Sequence, residues 1–394
     1  MPENILSMVI PAYNEEDAIA STLKGALESR KRIIAETDID RVEIIVVNDG
    51  SRDRTEEIVK NYTSNEDLEL ISFEKNKGYG AAIKEGFSQA SGNYVGFFDA
   101  DGTCDPNFFI DLYKVLKKED GQIALGSRVH KNSKMPVIRR IGNKIYAWLI
   151  NILWKTRITD SASGMRLLRR EALEEIYPLP DGLHFTPIMT CKALSSDKVK
   201  ILEIEMPYKE RSGKSKLSVA KDGYRFLVTI FEMGFSYRPF AFFGSLGIIF
   251  FLIAALYGIP VITHYVRYRN IPDDMIYRII AVITGIIVGS ILFFINLVMK
   301  DFIAYAKNKE LTFERAGGIL KTLAKPKNIM GAGMGLMLLS VLLNIKSLWE
   351  YTTMGAISQH WIYTLMGAFL FIQGTIVLVF GVAEHIIYVY KRKF

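Results

Sequence analysis

The strongest chemical signal in the chain is Asp99-Ala100-Asp101, two carboxylates two residues apart at the end of an apolar run over 94–98. One carboxylate of such a pair can take a hard divalent cation while the other holds a sugar hydroxyl. Mg2+ or Mn2+ held by one or two carboxylates usually completes its shell with phosphate oxygens of a ligand. That combination suits a nucleotide diphosphate. A lone pair of this kind is frequent by chance, so its context decides. Asp160, just before Ser161-Ala162-Ser163-Gly164-Met165-Arg166, is the candidate general base. His130 and His184 read more simply as loop or surface histidines. There is no GxGxxG and no GxxxxGK[ST], which leaves a dinucleotide fingerprint and a P-loop unsupported.

Such a pair needs a scaffold, and the chain to residue 126 supplies one. Apolar runs over 5–10, 42–47, 68–73, 94–98 and 122–126 read as strands. Between them, 16–30, 53–62, 81–90 and 107–118 carry apolar residues at helical spacing. Alternation of this kind predicts an α/β domain with a mainly parallel sheet and helices on both faces. Ligands then bind beyond the carboxyl ends of the strands. The four segments after the first four strands are Pro11-Ala12-Tyr13-Asn14-Glu15, Asn48-Asp49-Gly50-Ser51, Asn76-Lys77-Gly78-Tyr79-Gly80 and Asp99-Ala100-Asp101. Polar, turn-forming residues therefore crowd one edge of the sheet.

The 394 residues carry a net charge of +7 and are 49% hydrophobic, averages that hide a split. The first 235 residues mix charged and apolar residues as a soluble domain does. Beyond them, four runs lack Asp, Glu, Lys and Arg: between Arg238 and Arg267, and over 279–299, 328–345 and 351–383. About 20 apolar residues span a bilayer as helix. The expected organisation is a domain over 1–235 and a membrane domain over 236–394, with helices at about 239–262, 278–299, 328–346 and 357–383. This excludes a wholly soluble enzyme, a disordered chain and a fibrous repeat. Segments 138–157 and 217–237 are amphipathic and expected to lie in the headgroup plane. Basic residues crowd the segment before the first span, the joint between the second and third, and the end, so both termini are expected in the cytoplasm. Cys104 and Cys191 make no disulfide framework and fit a reduced setting. The first residues carry no basic and apolar leader, so no signal peptide is expected. No nucleic-acid partner is expected, because no basic stripe with interleaved aromatics occurs in the first half.

Residues 3 to about 220 resemble the family 2 glycosyltransferases of the GT-A fold. The carriers are 11–15, Val47-Asn48-Asp49-Gly50-Ser51, Asn76-Lys77-Gly78, Asp99-Ala100-Asp101, Gly126-Ser127-Arg128, Ser163-Gly164-Met165-Arg166 and Gly213-Lys214-Ser215-Lys216-Leu217. Their order and spacing are similar to those of polyprenyl-phosphate glycosyltransferases, dolichyl-phosphate mannose synthases and the bacterial GtrB type among them. The resemblance implies roles. Pro11, Tyr13, Asn14, Glu15, Val47, Asp49, Gly78 and Ala100 would hold the donor nucleotide. Asp99 would contact its ribose or sugar, and Asp99 with Asp101 would hold the metal. Arg211 and Lys216 would hold the donor diphosphate. Arg128, Arg139, Arg140 and Arg166 would face the acceptor phosphate, which a planar guanidinium matches in bidentate fashion. The chain departs from the pattern in three places. Thr103 stands where the family often has a Gln that helps the metal, with Asp105 beyond. Four residues separate Arg211 from Lys216, where several relatives have five. The tail has four helices, where the bacterial type has two.

The resemblance implies an inverting hexosyltransferase that uses a nucleotide sugar, UDP- or GDP-linked, with Mg2+ or Mn2+. Its acceptor would be a polyprenyl or dolichyl phosphate at the cytosolic face of a bilayer. A homo-oligomer is possible. A processive polysaccharide synthase is the first alternative; those carry Gln-x-x-Arg-Trp, and no Trp here follows Arg. A lipid-sugar flippase with a nucleotide-binding domain is the second. A phosphate acceptor is largely a dianion at neutral pH, with a second pKa of about 6. It can attack without a base, so Asp160 is expected to orient an arginine or the acceptor.

Overall fold

The structure is a computed structural model that describes residues 3–64, 67–131, 133–211, 218–306, 308–358 and 360–393. It divides into two compact units, Met1–Met233 and Gly234–Phe394.

The first unit is built on seven strands: β1 (Ile5–Ala12), β2 (Arg41–Asn48), β3 (Leu68–Ser72), β4 (Tyr94–Phe97), β5 (Ile123–Ser127), β6 (Arg166–Arg169) and β7 (Ile201–Glu205). Their order across the sheet is β3-β2-β1-β4-β6-β5-β7. All pairings are parallel except those of β6, which runs antiparallel to β4 and β5. The mainly parallel α/β architecture was legible in the sequence; β6 and β7 were not. Arg166-Leu-Leu-Arg169 is short and bounded by arginines, and β7 is only half-buried, so neither carries a strong apolar run.

Helices α1 (Ile19–Glu36), α2 (Thr55–Lys60), α3 (Tyr79–Gln89), α4 (Phe109–Lys118), α5 (Val137–Trp154), α6 (Ala172–Ile176), α7 (Phe185–Ser195) and α8 (Val219–Tyr237) complete the order. Alternation along β1 sorts its side chains onto two cores. Met8 and Ile10 pack with Leu23 of α1 and Phe109 of α4. Val9 packs with Ile83 and Phe87 of α3 and Met189 of α7. Both faces of the sheet are thus covered, as a parallel sheet requires. The chain leaves β1 toward β2 on one side and reaches β4 on the other. The carboxyl ends of β1 and β4 therefore flank the switch point where such sheets bind ligands.

Helix α5 follows Pro136, and Lys155 in the left-handed region ends it. It is apolar on two sides. Tyr146, Ala147, Ile150 and Leu153 are buried, while Ile138, Ile141, Ile145, Trp148 and Ile152 stand exposed.

The second unit has α9 (Ser245–Tyr268, entered through a π-turn at Phe240–Gly244), α10 (Ile276–Ala306), α11 (Thr312–Arg315), α12 (Gly318–Leu323), α13 (Pro326–Met354) and α14 (Trp361–Lys393). Four stretches are long and apolar enough to cross a membrane: Phe240–Tyr268, Asp273–Ala306, Pro326–Met354 and Trp361–Arg392. They run past the apolar windows of the sequence because a helix continues wherever its backbone bonds do, including outside hydrocarbon. Small residues set their close packing. A Cβ on Gly333 of α13 would lie 2.6 Å from the Leu378 backbone nitrogen of α14, whereas Gly331 and Gly335 face open space. Asp301 near the end of α10, Glu350 near the end of α13 and Glu384 of α14 are buried acids. Asp301 accepts from the Thr312 backbone at 2.7 Å, and Glu350 accepts from the Ser358 backbone and hydroxyl, each at 2.7 Å.

Candidate active site

A cavity of about 480 Å³ opens at the carboxyl ends of β1 and β4. Pro11, Ala12, Tyr13, Glu15, Asp49, Gly78, Asp99, Ala100, Asp101, Arg128, Arg139 and Arg211 all line it. These come from β1, from the turns after β2, β3, β4 and β5, from α5, and from the segment after β7. The parallel register explains the gathering, since aligned strands end together.

Asp49 shapes the nucleotide side. Its carboxylate accepts from the backbone of Lys77 at 2.7 Å, from Gly78 at 3.0 Å and from the Asn76 side chain at 2.8 Å. Burial raises its pKa, although the backbone donors of Lys77 and Gly78 and the charge of Lys77 pull it down. Gly78 has φ +109, and a Cβ there would meet the Asp181 carbonyl at 2.5 Å, so only glycine lets this turn form.

The carboxylate pair lies deeper. Asp99 accepts from the Tyr79 hydroxyl at 2.7 Å. A Cβ on Gly164 would come within 2.1 Å of Asp99 Oδ2, so the loop before β6 seals that side. Burial, then the charge of Asp101, pushes Asp99 up to about 7. Asp101 accepts from Thr103 through its backbone at 3.1 Å and its hydroxyl at 2.6 Å. Its other oxygen takes Arg211 Nη1 at 2.8 Å, and Arg211 Nη2 reaches Glu15 at 2.5 Å. A fixed cation thus already sits between two carboxylates, and the hard oxygen donors of Asp99 and Asp101 suit Mg2+ or Mn2+. No group of three or more His, Cys, Asp or Glu gathers among the described residues, so such an ion needs oxygens from its ligand. Asp105 is not part of this set. It caps the next helical turn by accepting from the Asn107 backbone at 3.0 Å.

Arg128 and Asp160 form the third feature. Asp160 is fully buried and takes Arg128 Nε at 2.7 Å, Nη2 at 3.0 Å and the backbone N–H at 3.0 Å. Asn143 of α5 donates to the same carboxylate at 3.2 Å. Burial alone would lower the Arg128 pKa; the Asp160 carboxylate outweighs it, and the net shift is upward.

Other expected residues stand elsewhere. Arg166 was expected at the acceptor but is fully buried in β6. It spends Nε on the Ser163 carbonyl, Nη2 on the Ser161 carbonyl and Nη1 on Thr190. It holds the 161–163 turn from beneath, and burial lowers its pKa to about 10. Val47 was expected at the nucleotide but is sealed in the core under α3. Asn14 ties two loops together by accepting from the Arg52 backbone at 2.7 Å and lies outside the cavity lining. Arg140 donates to the Ser133 carbonyl at 2.6 Å and also lies outside it. Lys216 falls outside the described residues. Sequence reasoning passed over Tyr79, Gly164, Asn143, Tyr146, Tyr208 and Arg225, which also line the cavity. Tyr79 and Gly164 lay inside motifs already singled out, and only their immediate neighbours were weighed.

Comparison with known proteins places this geometry in context. Residues 7–177 match the model of Glycosyl transferase family 2. The chain is 32% identical over 249 residues to the dolichyl-phosphate beta-glucosyltransferase of Saccharomyces cerevisiae, a match covering 57% of this chain and 72% of that protein. It is 31% identical over 227 residues to a low-salt glycan biosynthesis hexosyltransferase of Haloferax volcanii, covering 56% of this chain. There it spans only about half of the relative, 51% of its length. Among solved structures, glucosyl-3-phosphoglycerate synthase of Mycobacterium tuberculosis, crystallised with Mn2+ and UDP, aligns at TM-score 0.47 and 19% identity, over 58% of this chain and 80% of that one.

Proposed function

This chain belongs to glycosyl transferase family 2, and from that premise we propose that it moves one hexose from a nucleotide sugar to a polyprenyl or dolichyl phosphate. The single observation that carries the choice of acceptor is the state of Asp160. Its two oxygens are committed to Arg128 and Asn143, so the one base candidate of the sequence is engaged in holding an arginine. An acceptor that arrives ionised needs no base, and a phosphate monoester is largely a dianion at pH 7.

The donor nucleotide lies along Pro11, Tyr13, Glu15 and Asp49, with its diphosphate toward Asp101. Arg211 leaves its carboxylate partners for the diphosphate as the donor enters. Asp99 and Asp101 would hold a divalent cation, which would supply Lewis-acid stabilisation of the departing charge when bound. The acceptor phosphate oxygen forms the new bond to the anomeric carbon as the bond to the nucleoside diphosphate breaks, with inversion. Arg128, with its charge fixed by Asp160, and Arg139 position that phosphate. The exposed apolar stripe of α5 (Ile141, Ile145, Trp148 and Ile152) lies in the headgroup layer, which brings the lipid's phosphate to the site's level. The catalytic unit and both termini lie on the cytoplasmic side, a reading supported by the Lys and Arg asymmetry of the joints.

The test is a matrix of nucleotide sugars against polyprenyl phosphates with purified protein, read by mass spectrometry of the lipid fraction. One pair yields a lipid-phosphate hexose, and EDTA or Asp101→Asn abolishes it. Glycan chains longer than one sugar would instead mark a polymerising synthase. Full turnover in EDTA would remove the metal from the scheme.

A further inference from the structure

One wall of the cavity is made by two helices. Helix α5 contributes Ile138, Arg139 and Tyr146; α8 contributes Gly223, Arg225 and Phe226. The helices are joined at this level. The Tyr146 hydroxyl donates to the Gly223 carbonyl at 3.2 Å, and the Tyr146 and Phe226 rings meet edge to face at 5.7 Å. A Cβ on Gly223 would sit 3.0 Å from that hydroxyl, so glycine permits the approach. The wall therefore sets two guanidiniums among apolar and aromatic groups.

The other arginines of this region are already engaged. Arg128 grips Asp160 and the Ala162 carbonyl, Arg211 bridges Glu15 and Asp101, and Arg166 is buried beneath the turn. Arg225 differs. It lines the cavity and is exposed, and among the described residues it makes no hydrogen bond or ion pair. Its guanidinium stands beside the 182–184 loop, with Nη1 3.8 Å from where a Cβ of Gly182 would be. Burial, then the charge of Arg225, lowers the pKa of His184. No carboxylate of a described residue forms an ion pair with this guanidinium, although Asp222 of the same helix also lines the cavity, and an unengaged guanidinium over an apolar wall fits an anion carried on an apolar stem.

We propose that Arg225 of α8 binds the phosphate of an isoprenoid acceptor, so that two helices hold the acceptor, α5 through Arg139 and α8 through Arg225. This rests on the acceptor class read above. The same chemistry would also take an ordinary phospholipid headgroup, and the experiment separates the two.

Purified full-length protein in neutral detergent is assayed with the donor that the matrix identifies and with farnesyl phosphate as a soluble acceptor. Arg225→Ala raises the acceptor KM about ten- to a hundredfold, the size of one charge-assisted contact, and leaves the donor KM within about twofold. Arg225→Lys restores part of the loss, since the charge remains and the fork does not. Circular dichroism checks that both variants fold. An unchanged acceptor KM, or an equal rise in donor KM, overturns the assignment. An effect seen only in vesicles with anionic phospholipid makes Arg225 a headgroup contact and also overturns it. If wild type transfers to no isoprenoid phosphate, the acceptor reading falls as well; if wild type transfers and Arg225→Ala matches it, only this inference falls.

Discussion

Asp160 shows how a residue's role follows from what its oxygens touch. The carboxylate has no exposed surface and makes a bidentate pair with a guanidinium whose side chain is 12% exposed. Removing one partner of such a pair leaves a buried charge uncompensated and costs about 3–5 kcal/mol. Arg128→Ala is therefore expected to destabilise the first unit by that order. Arg128→Ala with Asp160→Ala should cost less than the sum of the two single changes, as read in a thermal or denaturant double-mutant cycle. Additive losses would show the pair is not coupled. Asp160→Asn keeps the shape and should slow transfer, while the acidic limb of the pH–rate profile stays near the phosphate pKa of about 6. Loss of that limb in the variant would make Asp160 a proton acceptor. Asp99 offers the opposite trade. Its folded-state value of about 7 lies above the ordinary aspartate value of about 3.9. The folded state then binds the proton more tightly, so stability from this group is full below the unfolded value and is lost as pH rises toward 7. In EDTA at pH 8, Asp99→Asn should raise the melting temperature by roughly 2 °C or more while abolishing transfer. A lower melting temperature would contradict the burial argument.

Turns and loops, rather than the strands themselves, set the positions of these groups. The 161–165 segment is held from below by Arg166 and presses Gly164 against Asp99. There is no room for a methyl group, since it would lie 2.1 Å from a carboxylate oxygen. Gly164→Ala should keep the fold, because the segment can yield outward, but displace Asp99. A displacement near 1 Å is enough to lower transfer about a hundredfold. Activity within twofold of wild type would show that the loop moves and the carboxylate does not.

At the scale of the whole molecule, four long apolar helices follow the family 2 unit, and the joints between them differ in charge. The joint between the second and third spans carries Lys300, Lys307, Lys309, Arg315, Lys321, Lys325 and Lys327, while the joint between the third and fourth carries Lys346 alone. With the basic joint in the cytoplasm, a cysteine placed at Ala356 should react with an impermeant reagent added from outside. One placed at Asn308 should react only after permeabilisation. Both positions are exposed, and the native Cys104 and Cys191 are buried, which keeps the background low. The reverse pattern would move the active site to the opposite face.

What the sequence determined by itself was whatever depends on short range. Short apolar runs marked five of the seven strands, and apolar residues at helical spacing marked the helices between them. Runs without charge marked the four membrane-length helices. A parallel sheet ends its strands on one edge, so Pro11, Glu15, Asp49, Gly78, Asp99 and Asp101 could be assigned to one site before any coordinates. Tertiary structure decided what depends on pairing between distant segments. Arg128 and Asp160 are 32 residues apart, and Arg211 and Asp101 are 110 apart. The antiparallel insertion of β6 between β4 and β5 turned Arg166 into the core, because register decides which face a strand residue takes. The same holds in the second unit. Gly331, Gly333 and Gly335 all lie in α13, yet of these three Gly333 makes the contact, because the rotation of a helix about its own axis is set by the helix it packs against.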